Sequence, residues 1–400
     1  MKQVLIGITL CVATAALAIF YPAPDSRALT ALTEPVRPDP SLTEPAQHAR
    51  IEVVFALDTT GSMSGLLEAA REKVWSIATS MAQAEPAPEI RIGLVAFRDR
   101  GDDYVTQWID LSTDLDSMYA RLMQFQAAGG GDTPEAVNQA LADAVERFSW
   151  SADPKVYKAI FLMGDAPPQD YQDEPAYPAI LERARERGIV VNTVQCGNLP
   201  GTQDAFTRIA ALAQGSFFKV AQDGAAVAVS TPYDEELARL SAALDATRLF
   251  FGDADAKRKL EAKSAATASL HAAASPATRA RRATFNASAS GAANFAGEHE
   301  LVAAVRAGAV DLDTLAADTL PAPIAAMAPA ERAAHVEAQG AKRDALEREI
   351  SDLAERRADF IAEALTEAGG ADDSLDEQIF ATVRTQASAK GLRYSGPARH

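Results

Sequence analysis

Basic charge, cysteine, histidine and aromatic residues are all scarce in this chain of 400 residues, and each scarcity removes a class of function. Lys and Arg number 38 against 55 Asp and Glu, a formal net charge of −17, so a basic surface for phosphate contacts is not expected. The two cysteines are Cys11 and Cys196. Cys11 lies in an N-terminal apolar run, which leaves one thiol for the folded part. That excludes a disulfide framework and a cysteine-based zinc site. The five histidines are His48, His271, His299, His335 and His400, so no Ser-His-Asp triad can form within residues 50–230. Aromatic residues make up 6% and are scattered, which argues against a stacking platform for single-stranded nucleic acid.

What is present is a chain with 48% hydrophobic residues, enough for a sizeable core. Its one long uncharged apolar run, Val4 to Phe20, follows Lys2 and predicts a targeting segment within residues 1–28, either a signal peptide or a membrane anchor. The remainder is therefore expected to be exported: periplasmic, or anchored to the inner membrane and facing the periplasm. Residues 29–49, with Pro35, Pro38, Pro40 and Pro45, read as an extended linker.

From residue 50 the pattern changes. Ile51–Leu57 is an almost continuous apolar run, as a strand buried on both faces requires. Further strands are predicted at Ile90–Phe97, Tyr104–Leu111, Val156–Met163, Ile189–Gln195 and Ser216–Val220. Helices are predicted between them, at Gly65–Ala84, Leu115–Phe125, Pro134–Phe148, Ala176–Arg187 and Asp204–Ala213. Such alternation implies an α/β fold, a doubly wound and mostly parallel sheet with one antiparallel edge strand, over residues 50–230.

Three polar turns fall where parallel strands or a glycine run end. Asp58-Thr59-Thr60-Gly61-Ser62 follows the first strand, Asp132-Thr133-Pro134-Glu135 follows Gly129-Gly130-Gly131, and Asp165 follows Met163-Gly164. Ligands in open α/β sheets bind beyond these strand ends. Asp58, Thr60, Ser62, Thr133 and Asp165 offer carboxylate and hydroxyl oxygens only, a donor set for Mg²⁺, Mn²⁺ or Ca²⁺. With few carboxylates in reach, the ion would accept one more anionic oxygen from outside. Each turn also has a structural reading: Ser62 or Ser64 as a helix cap, Thr133 as an N-cap before Pro134 and Glu135, and the aspartates as turn residues.

These residues carry a family resemblance. The Asp58-x-Thr60-x-Ser62 turn, Thr133 in GGGDTPEA and Asp165 in FLMGDAPP resemble, in order and spacing, a von Willebrand factor type A (VWA) domain over residues 50–230. The resemblance implies a metal-ion-dependent adhesion site at the top of the sheet. Thr60, Ser62 and Thr133 would contact the metal, and Asp58 and Asp165 would act through hydrogen bonds or bridging waters. The implied function is capture of a protein ligand's Asp or Glu carboxylate, without catalysis. The same first turn also resembles haloacid dehalogenase-like phosphotransferases, with Asp58 as nucleophile beside Mg²⁺. That reading lacks the second acid, since Thr60 stands where it belongs. A further alternative is an assembly factor with a vestigial metal site.

Residues 231–328 are alanine-rich, helical or of low complexity, and 264–297 read as a linker or poorly packed helix. The cluster Arg279, Arg281, Arg282 is expected to be solvated. Residues 329–400 hold a long helix to about residue 368, stopped by Gly369-Gly370. Asp344/Arg348 and Asp352/Arg356 are spaced to pair along it. Gln339, Arg343 and Arg357 interrupt its apolar stripe, so a sustained coiled coil is not expected. A helical hairpin, a partner-docking helix or an oligomerising helix remain open.

Overall fold

The computed structural model describes residues 49–65, 67–131, 135–220, 229–367 and 375–395. The predicted targeting segment and nearly all of the proline-rich linker lie outside these residues, as does Thr133. The described residues group into one compact unit. No helix among the described residues is long and apolar enough to cross a membrane.

The first half alternates strand and helix: β1 (Arg50–Asp58), a 3-10 turn (Gly61–Gly65), α1 (Leu67–Ala82), β2 (Ala84–Glu85), β3 (Glu89–Phe97), β4 (Thr106–Ser112), α2 (Leu115–Leu122), α3 (Val137–Glu146), β5 (Tyr157–Gly164), α4 (Tyr177–Glu186), β6 (Ile189–Cys196), α5 (Thr202–Leu212) and β7 (Phe217–Val220). Six strands form one sheet in the order β4-β3-β1-β5-β6-β7. All neighbours are parallel except β3 and β4. This is the doubly wound sheet with one antiparallel edge strand that the apolar runs predict. β1 is central and buried along nearly its whole length, which accounts for its unbroken apolar sequence.

Strand alternation splits β1 between two cores. Val53, Phe55 and Leu57 face one side, with Leu94, Phe161 and Met163. Val54 and Ala56 face the other, with Val95, Phe97, Ile160 and Leu162. The second face is covered by α3, α4 and α5 through Val137, Leu141, Ile180, Leu181, Phe206 and Ile209.

The first face is covered differently. Trp75, Ile77 and Met81 of α1 and Met118, Tyr119 and Leu122 of α2 cover part of it. The rest is completed from far along the chain. There follow α6 (Asp234–Asp245), α7 (Ala254–Ala273), α8 (Pro276–Asn286), α9 (Ala292–Ala296), α10 (Leu301–Arg306), α11 (Ala322–Ala325), α12 (Pro329–Glu367), α13 (Leu375–Ser388) and β8 (Arg393–Tyr394). Leu270 of α7, Phe285 of α8 and Ile379 and Val383 of α13 join the same core as Val194 and Phe218. The Gln386 side chain accepts from Tyr157 Oη at 2.6 Å and donates to Asn192 Oδ1 at 2.9 Å. Lys73 Nζ donates to Asp376 at 2.8 Å, and β8 pairs antiparallel with β2.

Residues 264–297 are therefore not a linker. They form the second half of α7, α8 and α9, with Ala280, Ala283 and Phe285 buried. Alanine here lets α8 pack closely on α6. Nor is the arginine cluster solvated: Arg281 and Arg282 are both buried. Arg282 Nε and Nη2 donate to the Asp116 carboxylate, both at 2.6 Å, and Nη1 donates to Asp245 at 2.8 Å. Lys263 Nζ adds a contact to Asp114 at 2.7 Å, and Thr267 Oγ1 one to Asp116 at 3.0 Å. Burial raises the Asp116 carboxyl, but the Arg282 guanidinium, helped by the charges of Lys263 and Arg248, holds the group well below the usual carboxylate range.

α12 packs against its own chain rather than forming a free helical rod. Ile350 joins the core of α6 and α8, and Val336 joins that of α10 and α11. The arginines that interrupt its stripe are buried partners: Arg343 Nη1 meets Glu300 at 2.9 Å and Arg357 Nε meets Asp234 at 2.7 Å. Asp344 pairs with Arg306 of α10 at 2.7 Å, and Arg348 donates instead to the Asp344 carbonyl.

Candidate metal site

The carboxyl end of β1 sits at the centre of the sheet, so whatever follows it lies over the middle of the strand ends. Asp58 closes the strand. Its Oδ1 accepts from Thr60 N at 2.9 Å and from Thr60 Oγ1 at 2.7 Å, which folds the turn back over the strand end. Thr60 Oγ1 lies 3.1 Å from Ser62 Oγ. Asp58 and Thr60 are buried and Ser62 is exposed, so this line of oxygens runs from the interior to solvent. Ser62 belongs to the 3-10 turn, and α1 starts only at Leu67.

The glycine run packs over this turn. Gly129 and Gly130 both have left-handed backbones, φ +75° and +74°. Gly61 N donates to the Gly129 carbonyl at 3.1 Å, and Asp102 accepts from Gly130 N at 3.1 Å. A Cβ at Gly130 would lie 3.1 Å from Thr60 Cβ and 3.5 Å from Glu135 Oε1. Without side chains the run brings the Glu135 segment against the Asp58 turn.

Asp165 arrives from β5, the other neighbour of β1. A Cβ at Gly164 would sit 3.1 Å from Asp58 Oδ2, so glycine there permits the close approach. Thr202 Oγ1 at the start of α5 donates to the Asp165 carbonyl at 2.9 Å. The structure thus gathers Asp58, Thr60, Ser62 and Asp165 at one end of the sheet.

Glu135 is a further acid that sequence reasoning passed over. The TPE sequence reads as a helix start, yet α3 begins at Val137 with Ala136 as its cap and no side-chain capping bond. Glu135 is instead clamped to the Asp165 loop. Its N–H donates to the Pro167 carbonyl at 3.0 Å, and its carbonyl accepts from Gln169 N at 2.8 Å. The signal that could have marked it is an acid placed directly after the glycine run. Asp99 and Asp102 from the loop after β3 lie near enough to raise Glu135 by their charge.

The electrostatics are those of an anionic cradle. Asp58 Oδ2, Asp165 Oδ1 and Glu135 Oε2 are buried and have no hydrogen-bond partner among the described residues. Burial pushes the Asp58 carboxyl up to about 7, against the hydrogen bonds from Thr60 and with the help of the Asp165 charge. Burial, then the charges of Asp58, Asp99, Asp165 and Asp102, pushes Glu135 up to about 8. Arg98 is close but points elsewhere, donating to the Thr59 and Gln126 carbonyls. Three buried carboxylate oxygens without partners are costly unless a cation is present. Hard oxygens of this kind fit a divalent ion, which would draw ligands from Asp58, Thr60, Ser62 and Asp165 and would act as a Lewis acid toward an incoming oxygen. Among the described residues no group of three or more His, Cys, Asp or Glu has the spacing of an all-acid or imidazole metal cluster, so hydroxyls are needed to complete the set.

Comparison with known proteins finds similarity to one domain family within the first part of the chain. Residues 52–230 match the family model described as von Willebrand factor A domain. Over 116 residues, 29% of this chain, the sequence is 34% identical to von Willebrand factor A domain-containing protein 7 of Rattus norvegicus and 33% identical to that of Homo sapiens. The match spans 12% of the length of those relatives. Among solved structures, proximal thread matrix protein 1 from the mussel byssus, with a zinc-occupied MIDAS motif, aligns at TM-score 0.35 and 14% identity, covering 44% of this chain and 43% of that one. A von Willebrand factor type A structure from Catenulispora acidiphila aligns at TM-score 0.32 and 19% identity, covering 43% and 39%. Residues 52–230 of this chain are thus similar to von Willebrand factor A domains.

Proposed function

We propose that this protein is a binding protein, not an enzyme. Its VWA domain would hold Mg²⁺, or Mn²⁺ or Ca²⁺, at Asp58, Thr60, Ser62, Thr133 and Asp165 and present it to a carboxylate on another protein. The observation that carries the reading is the Asp58 turn: a buried carboxylate with one oxygen tied to Thr60 and the other without a partner, beside two hydroxyls 3.1 Å apart that lead outward. Such an ion retains an open coordination position toward solvent, where an Asp or Glu side chain of a protein ligand would bind. The apolar run Val4–Phe20 supports placing the domain outside the cytoplasm, periplasmic or tethered to the inner membrane.

The test uses the full chain and its Asp58→Asn variant. Calorimetry with Mg²⁺, Mn²⁺ and Ca²⁺ should report one site on the former and none on the latter. Proteins retained from membrane extracts with Mg²⁺ should be released by chelator. Retention that persists in chelator, or survives Asp58→Asn undiminished, overturns the reading.

A further inference from the structure

We propose that Arg281 and Arg357 form an anion site between α8 and α12, suited to a small oxyanion of the phosphate or carboxylate class. None of its residues belongs to the Asp58 turn or the loops around it, so the site stands whether or not that turn holds a metal.

Charge comes first. Arg281 is 4% exposed and Arg357 1%. A guanidinium keeps its proton even when buried, so each needs a negative partner. Arg357 has one: its Nε donates to Asp234 at 2.7 Å. Arg281 Nε and Nη1 are buried and have no hydrogen-bond partner among the described residues. Arg282, the next residue, shows how the same fold satisfies a guanidinium, with Nε and Nη2 on Asp116 and Nη1 on Asp245.

The carboxylates near this pair are already bonded. Asp234, Asp376 and Arg281 all act on Arg357 through their charge. Asp234 accepts from Arg357 through Oδ1 and from Thr231 N through Oδ2 at 2.8 Å. Asp376 Oδ1 accepts from Lys73 Nζ at 2.8 Å and from Ser76 Oγ at 3.0 Å. Of the groups that these bonds and charges bring together, Arg281, Arg357 and Lys73 are cations, and Asp234 and Asp376 are carboxylates. Burial, then the Arg281 charge, pushes the Arg357 guanidinium below its usual range. An anion between the two arginines supplies the missing negative charge.

Space comes next. A cavity of about 260 Å³ is lined in part by Thr79 of α1, Thr284 of α8, and Ser351 and Ala354 of α12. Thr284 follows Arg281 by one helical turn and Ala354 precedes Arg357 by one, about 5.4 Å in each case. The arginines therefore continue the α8 and α12 walls of this cavity. Thr79 Oγ1 is buried with no partner among the described residues, a further donor on the same wall. The volume is below the roughly 300–1,000 Å³ of pockets for drug-sized ligands, which suits a phosphate or a short carboxylic acid and argues against a nucleotide. Guanidinium groups hold such oxyanions through paired, charge-assisted N–H···O bonds. Binding here would join α12 to α8, whose Phe285 packs on Trp75 of α1, and so would stabilise the C-terminal helices on the sheet.

The experiment uses the full chain, dialysed free of metal so that the Asp58 turn offers no second anion site. Melting is followed at constant ionic strength in chloride, with millimolar inorganic phosphate or acetate replacing part of it. One or both should raise the melting temperature of the parent by about 2–4 °C, and the stronger arm names the class. Arg281→Met removes the stranded charge. It should melt no lower than the parent in chloride and should lose the response to both anions. Arg281→Lys should keep part of that response. No response in the parent overturns the proposal. An equal response in the parent and Arg281→Met does so too, since general salt effects act on both. A lower melting temperature of Arg281→Met in chloride also overturns it, because a carboxylate of the chain would then already serve Arg281.

Discussion

Replacing Arg282 with methionine should cost the protein a large part of its stability, and the reason lies in where the guanidinium ends. Arg282 is fully buried and bridges Asp116 of α2 to Asp245 of α6 through four contacts of 2.6–3.0 Å. Its removal would leave the wholly buried Asp116 with the Thr267 hydroxyl at 3.0 Å and the more distant Arg248 at 4.0 Å. Asp245 would keep His271 and Arg248. Stripping one partner from a buried pair typically costs about 3–5 kcal/mol, and the loss at pH 7 should fall in that range. Urea unfolding followed by tryptophan fluorescence is a suitable assay, because Trp75 lies 5.8 Å from Phe285, three residues along α8 from Arg282. The carboxyl of Asp116 is depressed in the fold, so its share of stability is fully present above the ordinary carboxylate pKa of about 3.9 and is lost as pH falls toward its native value. The gap between the parent and Arg282→Met should therefore narrow in acid. The variant Asp116→Asn/Arg282→Met should regain much of the loss, since the wholly buried Asp116 charge is removed along with Arg282 and Asp245 keeps Arg248 and His271. A loss below about 1 kcal/mol at pH 7, the scale of a surface pair, would refute the argument.

Three further outcomes can be checked. In chelator at pH 8, Asp58→Asn should melt higher than the parent. A carboxyl raised to about 7 penalises the fold as pH climbs from about 3.9 and does so fully above 7, an upper bound of about 4 kcal/mol; equal melting temperatures would contradict this. The Cys196 thiol, pushed up to about 12 by burial and then by Asp58 and Asp165, should resist Ellman's reagent at pH 8 until the protein unfolds, and fast labelling of the native chain would count against that placement. Gly215→Ala should destabilise by about 1–3 kcal/mol, because its Cβ would fall 1.9 Å from the Val191 carbonyl oxygen, and a neutral result in denaturant unfolding would show that the loop before β7 yields.

The sheet was readable because its strands are buried on both faces, so IEVVFAL and IRIGLVAF announce themselves without knowledge of their neighbours. The Asp58 turn was readable because three oxygen donors occupy alternate positions in one short segment. Glu135 was not, since an acid after Thr-Pro looks locally like a helix start, and only the backbone pairing with Pro167 and Gln169 turns it toward the aspartates. Arg282 failed for the same kind of reason. Three arginines in four positions look solvated until Asp116, remote in sequence, is brought against them by packing. The alanines of α8 carry little hydrophobic signal, yet they are buried because small side chains permit close helix contact. Local pattern reports local burial; it is silent about partners supplied from a distance.

The return of α13 and β8 to the sheet has a consequence for biosynthesis. Lys73 meets Asp376, and Phe218 and Val220 share a core with Ile379 and Val383. A nascent polypeptide elongated only as far as α12 would carry every strand of the main sheet and still show a bare apolar flank. Closure over so long a loop is entropically slow. Ribosomal intermediates of this protein should therefore depend on chaperones until the last helix emerges, and premature termination within α12 should yield a product that is degraded rather than a shortened working form.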